Sequence, residues 1–318
     1  MRFLFLGLIA ALSSTQALPA ENFPSRAVTI ILGTTPGGIS DTITRLYAQA
    51  ASKELGQPIR IENRPTEAGF TTEATVKSAA PDGYTLFVFS AVQHAALSAI
   101  QRVPYDPAKL FAPVTPLFTM VNFLAVPSND PANSVTELLA AGRSKQNGLA
   151  FGSSGLGSTS HLTAAQLALS SKTPINAVHY AGAAAMIGDL LSGRLDFTFV
   201  SSTVAAPYVR QGRLKLLAVD ADTRWPDLPN VPTLREAGVD QPKVASWFAL
   251  AAPAGTPANI VQRLHDAFAR ASRDPTVVKG LHDNGALVTI ASPEEASAMV
   301  AREVSKTADL VETLNLRQ

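Results

Sequence analysis

The chain has no cysteine. That excludes disulfides, thiol nucleophiles, cysteine-bound metals and a lipid-anchored cysteine behind a leader peptide. It fits an oxidising compartment without requiring one. Charge is also scarce. Charged residues are 16% of the chain, and 26 Lys and Arg against 25 Asp and Glu leave a formal net charge of +1. A balance this even offers no basic face for nucleic acid or for an acidic membrane surface. The five histidines show neither H-x-x-x-H nor H-E-x-x-H spacing. No metal site and no cofactor is therefore expected. Past residue 20 no apolar run is long enough to span a bilayer.

What is present is apolar bulk. Apolar residues make up 46% of 318 positions, enough to fill one large or two ordinary cores. The first residues, "MRFLFLGLIAAL", are one Arg and a short apolar run, followed by "SSTQALPA". The run is too short for a spanning helix and has the build of a secretory signal. The competing reading is a buried terminal strand or helix. Cleavage after Ala17, with Thr15 at −3, fits the small-x-small rule better than cleavage after Ala20. Residues 1–20 are thus expected to be a signal peptide, and the rest a soluble, exported protein.

Strand and helix patterns alternate from there. "AVTIILG" (27–33) is a β-branched apolar run of the kind buried in parallel sheets. After a Pro and two glycines, Ile43, Leu46, Tyr47 and Ala50 form a helical stripe that stops near Gly56. "QPIRIENRP", "TTEATVKSA" and "YTLFVFS" add a strand, a helix and a strand. A second alternation runs from "NFLAVP" through "SVTELLAAGRSKQ", "LAFGSSG", "STSHLTAAQLAL", "INAVHY", "AAAMIGDLLSG", "LDFTFVS" and "VAAPYVRQG" to "LKLLAVD". Residues 222–242, rich in Pro and polar side chains, read as a long surface connection. A helix from Pro257, a shorter one after Pro275, a strand "ALVTI" and a helix from Ser292, with Glu295 at capping-box spacing, complete the chain.

The fold class expected is α/β, in two lobes with a ligand cleft between them. Residues 21–122 and 221–318 make a discontinuous first lobe and 123–220 the second, with crossings near 120–126 and 217–222.

In open α/β sheets ligands sit beyond the carboxyl ends of the strands. "GTTPGGIS", with Thr34, Gly37, Gly38 and Ser40, lies at such an end. So does "SSGLGSTS", with Ser153, Ser154, Gly157, Ser158 and Thr159. Each loop feeds a helix N-terminus, whose free N–H groups and dipole favour an anion. Neither loop is G-x-x-x-x-G-K-[ST], "GSSGLG" does not have G-x-G-x-x-G order, and no basic residue sits in either. A carboxylate is favoured over a phosphate. The plainer alternative is a pair of ordinary turns with Ser40 or Asp41 and Ser158 as N-caps. Ser90, Gln93 and His94 close the third strand and open the helix after it. His161 begins the helix after the second loop as a possible carboxylate donor. Asp196, at the start of a strand, either braces the hinge or meets an amine on the ligand. Trp247 and Phe248 sit in an apolar run and read as core.

Seven strings occur in order: "FPSRAVTIILGTTPGGISDTITRLYAQ", "IENRP", "AAPDGYTLFV", "FGSSGLGSTSHL", "HYAGAAAMIGDLLSGRLDFTF", "PNVPTLREAGV" and "SWFALAAPAGTP". From about residue 23 onward the chain resembles the Bug-type (Bordetella uptake gene) solute-binding receptors of tripartite tricarboxylate transporters. The resemblance implies a type II periplasmic-binding-protein fold, a periplasmic location, a small organic acid as ligand and the membrane components of a transporter as partners. It implies no enzymatic activity, and a monomer is expected. It also implies that the loop of Gly37, Gly38 and Asp41 and the loop of Ser153, Ser154, Gly157, Ser158 and His161 grip a carboxylate, helped by ordered waters. "YAGAAA" (180–185), with Gly182 and Ala183, is then a third wall. Two departures touch the cleft. Gly33-Thr34-Thr35 stand where relatives often carry an aromatic residue, and Ala181 where they often carry Lys.

Two alternatives remain open on sequence. One is a secreted serine hydrolase using Ser153 or Ser154 with His179 or His265, although no G-x-S-x-G elbow is present. The other is the periplasmic ligand-sensing subunit of a signalling system.

Overall fold

The computed structural model describes residues 23–65, 70–180, 183–239, 244 and 246–316. The expected signal peptide and Gly182 lie outside them.

The first lobe begins with strand β1 (Val28–Leu32), helix α1 (Ile39–Leu55), β2 (Ile59–Asn63), α2 (Phe70–Lys77), β3 (Thr85–Ser90) and α3 (Ala91–Gln101). β1 lies parallel to both β2 and β3, as crossover helices require. Strand β4 (Phe111–Met120) then leads into the second lobe. That lobe holds β5 (Asn122–Pro127), α4 (Val135–Ser144), β6 (Leu149–Ser153), α5 (Thr159–Ser171) and β7 (Ile175–His179). It continues through α6 (Ala183–Leu191), β8 (Phe197–Ser201), α7 (Ser202–Arg210) and β9 (Leu214–Asp220). The chain returns with β10 (Trp247–Pro253), α8 (Ala258–Ala271), α9 (Pro275–Asp283), β11 (Ala286–Val288) and α10 (Pro293–Thr313).

Two sheets result, a six-stranded one in the order β11-β4-β10-β3-β1-β2 and a five-stranded one in the order β7-β6-β8-β5-β9. In the first, Tyr47 of α1 packs with Leu264 and Phe268 of α8 and Leu281 of α9 on one face. Val76 of α2 and Val300 of α10 cover the other. The Tyr47 hydroxyl, fully buried, donates to Leu117 O at 2.6 Å. In the second, Leu138, Phe151, Leu167 and Phe199 centre a separate core. Among the described residues no helix is long and apolar enough to cross a membrane.

Three sequence expectations need correction. β4 has no counterpart in the alternation read from sequence, because "FAPVTPLFTM" carries two prolines that argue against an inner strand. Here Pro113 and Pro116 face Ala251 and Ala249, where the β4–β10 register shifts, so the lost N–H donors fall at bulges. The stretch 222–242 is not merely a surface connection. Trp225, Leu234 and Val239 are buried, and Thr233 forms a parallel bridge to Val219 at the end of β9. The strand "ALVTI" is shorter than expected and ends at Val288. The capping box at Ser292 and Glu295 forms as its spacing requires.

The lobes meet where Val121 alone separates β4 from β5 and where the chain passes from Asp220 to Trp247. This places the carboxyl ends of β1 and β3 opposite those of β6 and β8, and α1, α3, α5 and α7 start there.

Candidate functional site

The loop before α1 is built to leave its N-terminus open. Gly37 has φ of +81°, a left-handed conformation that side chains disfavour. Gly38, the N-cap, is extended at φ of −70°, and no side chain caps the helix. Neither Ser40 nor Asp41 takes that role. Asp41 is 2% exposed and accepts hydrogen bonds from Gly37 N at 2.9 Å, Arg45 Nε at 3.0 Å and Asn63 Nδ2 at 2.9 Å. Burial pushes its pKa up, but hydrogen bonds from Arg45, Gly37 and Asn63 and the Arg45 charge outweigh burial and hold it below the ordinary value. It braces the loop. Ser40 Oγ donates to Thr34 Oγ1 at 3.2 Å.

The second loop is more tightly bonded. Ser158 caps α5 by accepting from His161 N at 3.3 Å and donates to Gly155 O at 2.7 Å. Ser160 Oγ lies 3.1 Å from Ser154 Oγ and 3.2 Å from Ser158 Oγ, a hydroxyl cluster at the helix start. Gly157 has φ of +70°, and a Cβ there would come within 3.2 Å of Ala96 on α3, so this loop touches the first lobe. His161 does not act as a cationic donor. Its Nδ1 accepts from Gly157 N at 3.1 Å, and burial, with the nearby His179, pushes its pKa down to about 4. It is a neutral brace that carries its proton on Nε2.

Between the lobes lies a space of about 260 Å³. Its polar wall includes Ser90, Gln93, Asn122, Ser154, Thr159 and Ser201, and Ser158, Ser160 and Ser246 also reach it. Its apolar wall includes Met120, Met186, Phe199, Val204 and Phe248. None of the described wall residues carries a charge. At the head of α7, the N-cap Ser201 makes no cap bond, because its Oγ pairs with Thr203 Oγ1 at 2.9 Å. Thus α1 and α7, one from each lobe, reach the cleft region with no side chain on their first N–H groups.

Of the residues singled out by sequence, Ser90, Gln93, Ser154, Ser158 and Thr159 share this wall. Thr34, Ser40 and His94 border a smaller cavity of about 120 Å³ in the first lobe, which has Ser90, Gln93 and Phe248 in common with the cleft. Ser153 is fully buried. Asp196 does not face the cleft. It sits at the far ends of β6 and β8, where it accepts from Lys145 Nζ and Ala150 N, each at 2.7 Å, so it braces these strand starts and not the hinge, and a role toward a ligand amine is withdrawn. Ala183 opens α6.

Several wall residues went unread in the sequence. Ser201 ends "LDFTFVS" directly before a helix, and the strand-end rule applied to the first two loops would have found it. Phe248 is not simply core. One face stacks on Phe118 at 4.7 Å, and the residue lines the cleft. Asn122 and Met120 are placed by the crossing itself, which no local pattern announces. The hydrolase alternative also meets its geometry here. Ser153 Oγ lies 2.5 Å from His179 Nδ1, but Ser153 is sealed from the cleft and no carboxylate among the described residues orients His179.

A family model described as the tripartite tricarboxylate transporter family receptor matches residues 43–316. BugT of Bordetella pertussis is 30% identical over 310 residues, covering 96% of this chain and 95% of BugT. Among solved structures, MatC of Rhodopseudomonas palustris, with bound malate, is 34% identical. It superposes with a TM-score of 0.77 over 91% of this chain and 100% of its own. A second protein from Rhodopseudomonas palustris, solved with adipate, is also 34% identical, with a TM-score of 0.80 over 92% and 98%. The chain belongs to the tripartite tricarboxylate transporter receptors, in their two-lobed α/β fold. These are solute-binding receptors and not enzymes, which removes the hydrolase alternative.

Proposed function

We propose that this receptor captures a small organic acid between its lobes in the periplasm and delivers it to the membrane components of a tripartite tricarboxylate transporter. The observation that carries the reading is the approach of α1 and α7, both without side-chain caps, to an uncharged cleft rich in hydroxyls. Free N–H groups at two helix heads offer an anion directed donors and favourable dipoles, and a carboxylate needs no further cation there. The malate and adipate bound in two similar proteins support the same chemistry.

The rest of the reading follows from the chain's build. The first lobe comprises 21–122 and 221–318, with the buried part of 222–239 resting on the second lobe. Closure about the crossings at 121 and 221–246 completes contacts that neither lobe makes alone. The protein acts as a monomer, and residues 1–20 are removed on export. The ligand-gripping residues are those of the cleft wall together with Gly37 and Gly38.

A thermal-shift screen over mono-, di- and tricarboxylates and aromatic acids tests the core claim. A true ligand raises the melting temperature without being consumed. If no carboxylate in the screen stabilises the protein, the reading fails. Small-angle scattering with a bound acid should show a smaller radius, and mass measurement of the exported form should show the missing leader.

A further inference from the structure

Behind the crossings the two lobes touch a second time. In the first sheet β4 and β10 stand between β11 and the cleft strands β3 and β1. In the second, β5 stands between β9 and the cleft strands β8 and β6. The chain that follows β9 and the chain that precedes β11 therefore meet on the far side of the crossings from the cleft. There Trp225 and His282 stack, with ring centroids 5.0 Å apart and planes inclined by 15°. His282 Nε2 lies 3.4 Å from Asp227 Oδ2.

Each ring is anchored in a different lobe. Trp225 is buried and packs with Phe123 and Val219 of the second lobe and with Val121 at the crossing. His282 follows Leu281, which is buried in the first lobe's core with Tyr47 and Leu264. The His282 ring is not core, since 38% of the side chain is exposed. It borders a space of about 490 Å³, larger than the cleft, between the end of α9 and the back of α7. Helix α7 divides the two spaces. Ser201 and Val204 line the cleft, whereas Ser202, Ala206 and Val209 line the rear. The turn into β11 forms a fulcrum between them. Gly285 O accepts from Val121 N at 2.9 Å, and a Cβ on Gly285 would come within 2.6 Å of Ser202 Oγ.

We infer that this rear contact opposes closure of the cleft. A rotation about the crossings that brings the lobes together in front moves the parts behind them apart, because the two lie on opposite arms of one lever. Closing pulls His282 off Trp225 and away from Asp227. The contact thus holds the lobes in the arrangement seen here, and a ligand must supply the free energy to break it. It lowers the closed fraction of the free receptor and weakens every ligand by the same factor. The open rear space lets the rings part without disrupting a packed core. The inference rests on the lobe closure described under Proposed function.

Because the chain has no cysteine, Arg60→Cys and Ala177→Cys together carry a unique pair of spin labels. Both positions are exposed, on β2 and β7, the edge strands farthest from the crossings. Pulsed electron-spin resonance on the ligand-free mature protein then reads how far the cleft is open. His282→Ala should raise the short-distance population about two- to tenfold, the worth of one ring stack. His282→Phe keeps a ring on Trp225 and should return most of the wild-type distribution. Adipate and malate serve as probes, and either one that binds the wild type should bind His282→Ala more tightly by the same factor. Asp227→Ala, at a side chain 64% exposed, should shift the distances the same way and decides if His282→Ala does not fold. An unchanged or longer distance in folded His282→Ala overturns the inference, and so does a His282→Phe protein that behaves like His282→Ala. In either case closure stands if a carboxylate shortens the distance in the wild type. If no carboxylate in the thermal-shift screen does so, lobe closure fails and the inference fails with it.

Discussion

The backbone N–H of Gly37 donates to the carboxylate of Asp41 at 2.9 Å, across a single turn of chain. This bond folds the glycine loop back on α1, and it keeps a negative side chain near the proposed anion seat from pointing at it. Arg45 and Asn63 take up the remaining lone pairs of Asp41.

Asp41→Ala removes an acceptor from three donors at once. It should destabilise the protein by about 2 to 3 kcal/mol and loosen ligand binding through the loop. The pH dependence has a definite sign. The folded pKa of Asp41 lies below its ordinary value, despite burial, because Arg45, Gly37 and Asn63 favour the charged form. Its contribution is present above the unfolded pKa and is lost as pH falls through the folded one. Thermal unfolding between pH 5 and pH 2 should thus be less pH-sensitive in the variant by about one titrating group. An unchanged acid limb would show that Asp41 is not held as described.

His161 and His94 act in opposite directions on opposite sides of pH 6.5. The folded pKa of His161 is depressed to about 4 from 6.5. Between those values the unfolded chain takes up a proton that the folded one refuses, so stability falls as pH drops, by at most about 1.4 kcal/mol per unit. Burial lowers the folded pKa of His94, but the hydrogen bond and charge of Glu73 outweigh it and raise the value. Its contribution is fully present below the unfolded pKa and is lost as pH rises through the folded one. Together the two histidines predict a stability maximum near pH 6.5. His161→Asn places an amide oxygen near the Nδ1 position, where it can still accept from Gly157 N. It should flatten the slope between pH 6.5 and 4 and leave the alkaline side unchanged. Denaturant unfolding across pH 4 to 8 checks both limbs.

The parallel strands were legible because each is a short β-branched run followed by a helical stripe, as in "AVTIILG" and the face of Ile43 and Tyr47. β4 was not, because Pro113 and Pro116 speak against a strand locally and are tolerated only where its pairing with β10 shifts. The strand-end rule picked out Ser90, Ser154 and Ser158 of the cleft wall, since each follows from a local pattern. It says nothing of Met120 and Asn122, which reach the wall only because the chain crosses between lobes there. The buried pair of Glu73 and His94, with Oε1 and Nδ1 2.8 Å apart, was equally invisible. The two lie a strand apart in the chain, and neither residue marks itself as half of a pair. Asp196 misled for the same reason, because its cation, Lys145, comes from the end of α4.

Asp196 should therefore matter for stability and not for binding. It accepts two bonds from Lys145 Nζ and one from Ala150 N, with the carboxylate largely shielded. Asp196→Ala leaves the Ala150 N–H and the Lys145 ammonium without their acceptor, at a cost of about 1 to 3 kcal/mol. The affinity for any carboxylate that stabilises the wild type should change less than about twofold, well under 1 kcal/mol. A clear loss of affinity in a folded variant would return Asp196 to the cleft.

The two adjacent glycines should separate folding from binding. Gly37 is the left-handed one, at φ of +81°, yet a Cβ there would meet nothing within 4 Å. Gly37→Ala therefore costs backbone strain of about 1 to 2 kcal/mol and little in steric terms. Gly38 is extended, and its Cβ would rest 3.4 Å from Thr35 O, an ordinary contact. Gly38→Val should fold nearly as well as the parent, and strain at this position, which a positive φ would have brought, plays no part. What valine adds is bulk at the N-cap, over the first free N–H groups of α1. If a carboxylate seats there, the affinity should drop by at least about tenfold, equivalent to 1.4 kcal/mol. Ser158→Ala provides the contrast from the other lobe. It loses a cap worth about 1 kcal/mol, with a smaller effect on affinity if the ligand is held mainly by backbone N–H groups. Calorimetry and thermal unfolding on the three variants give two independent readouts. A Gly38→Val protein that binds as tightly as the parent would confine both glycines to making the turn and move the anion seat to the heads of α5 and α7.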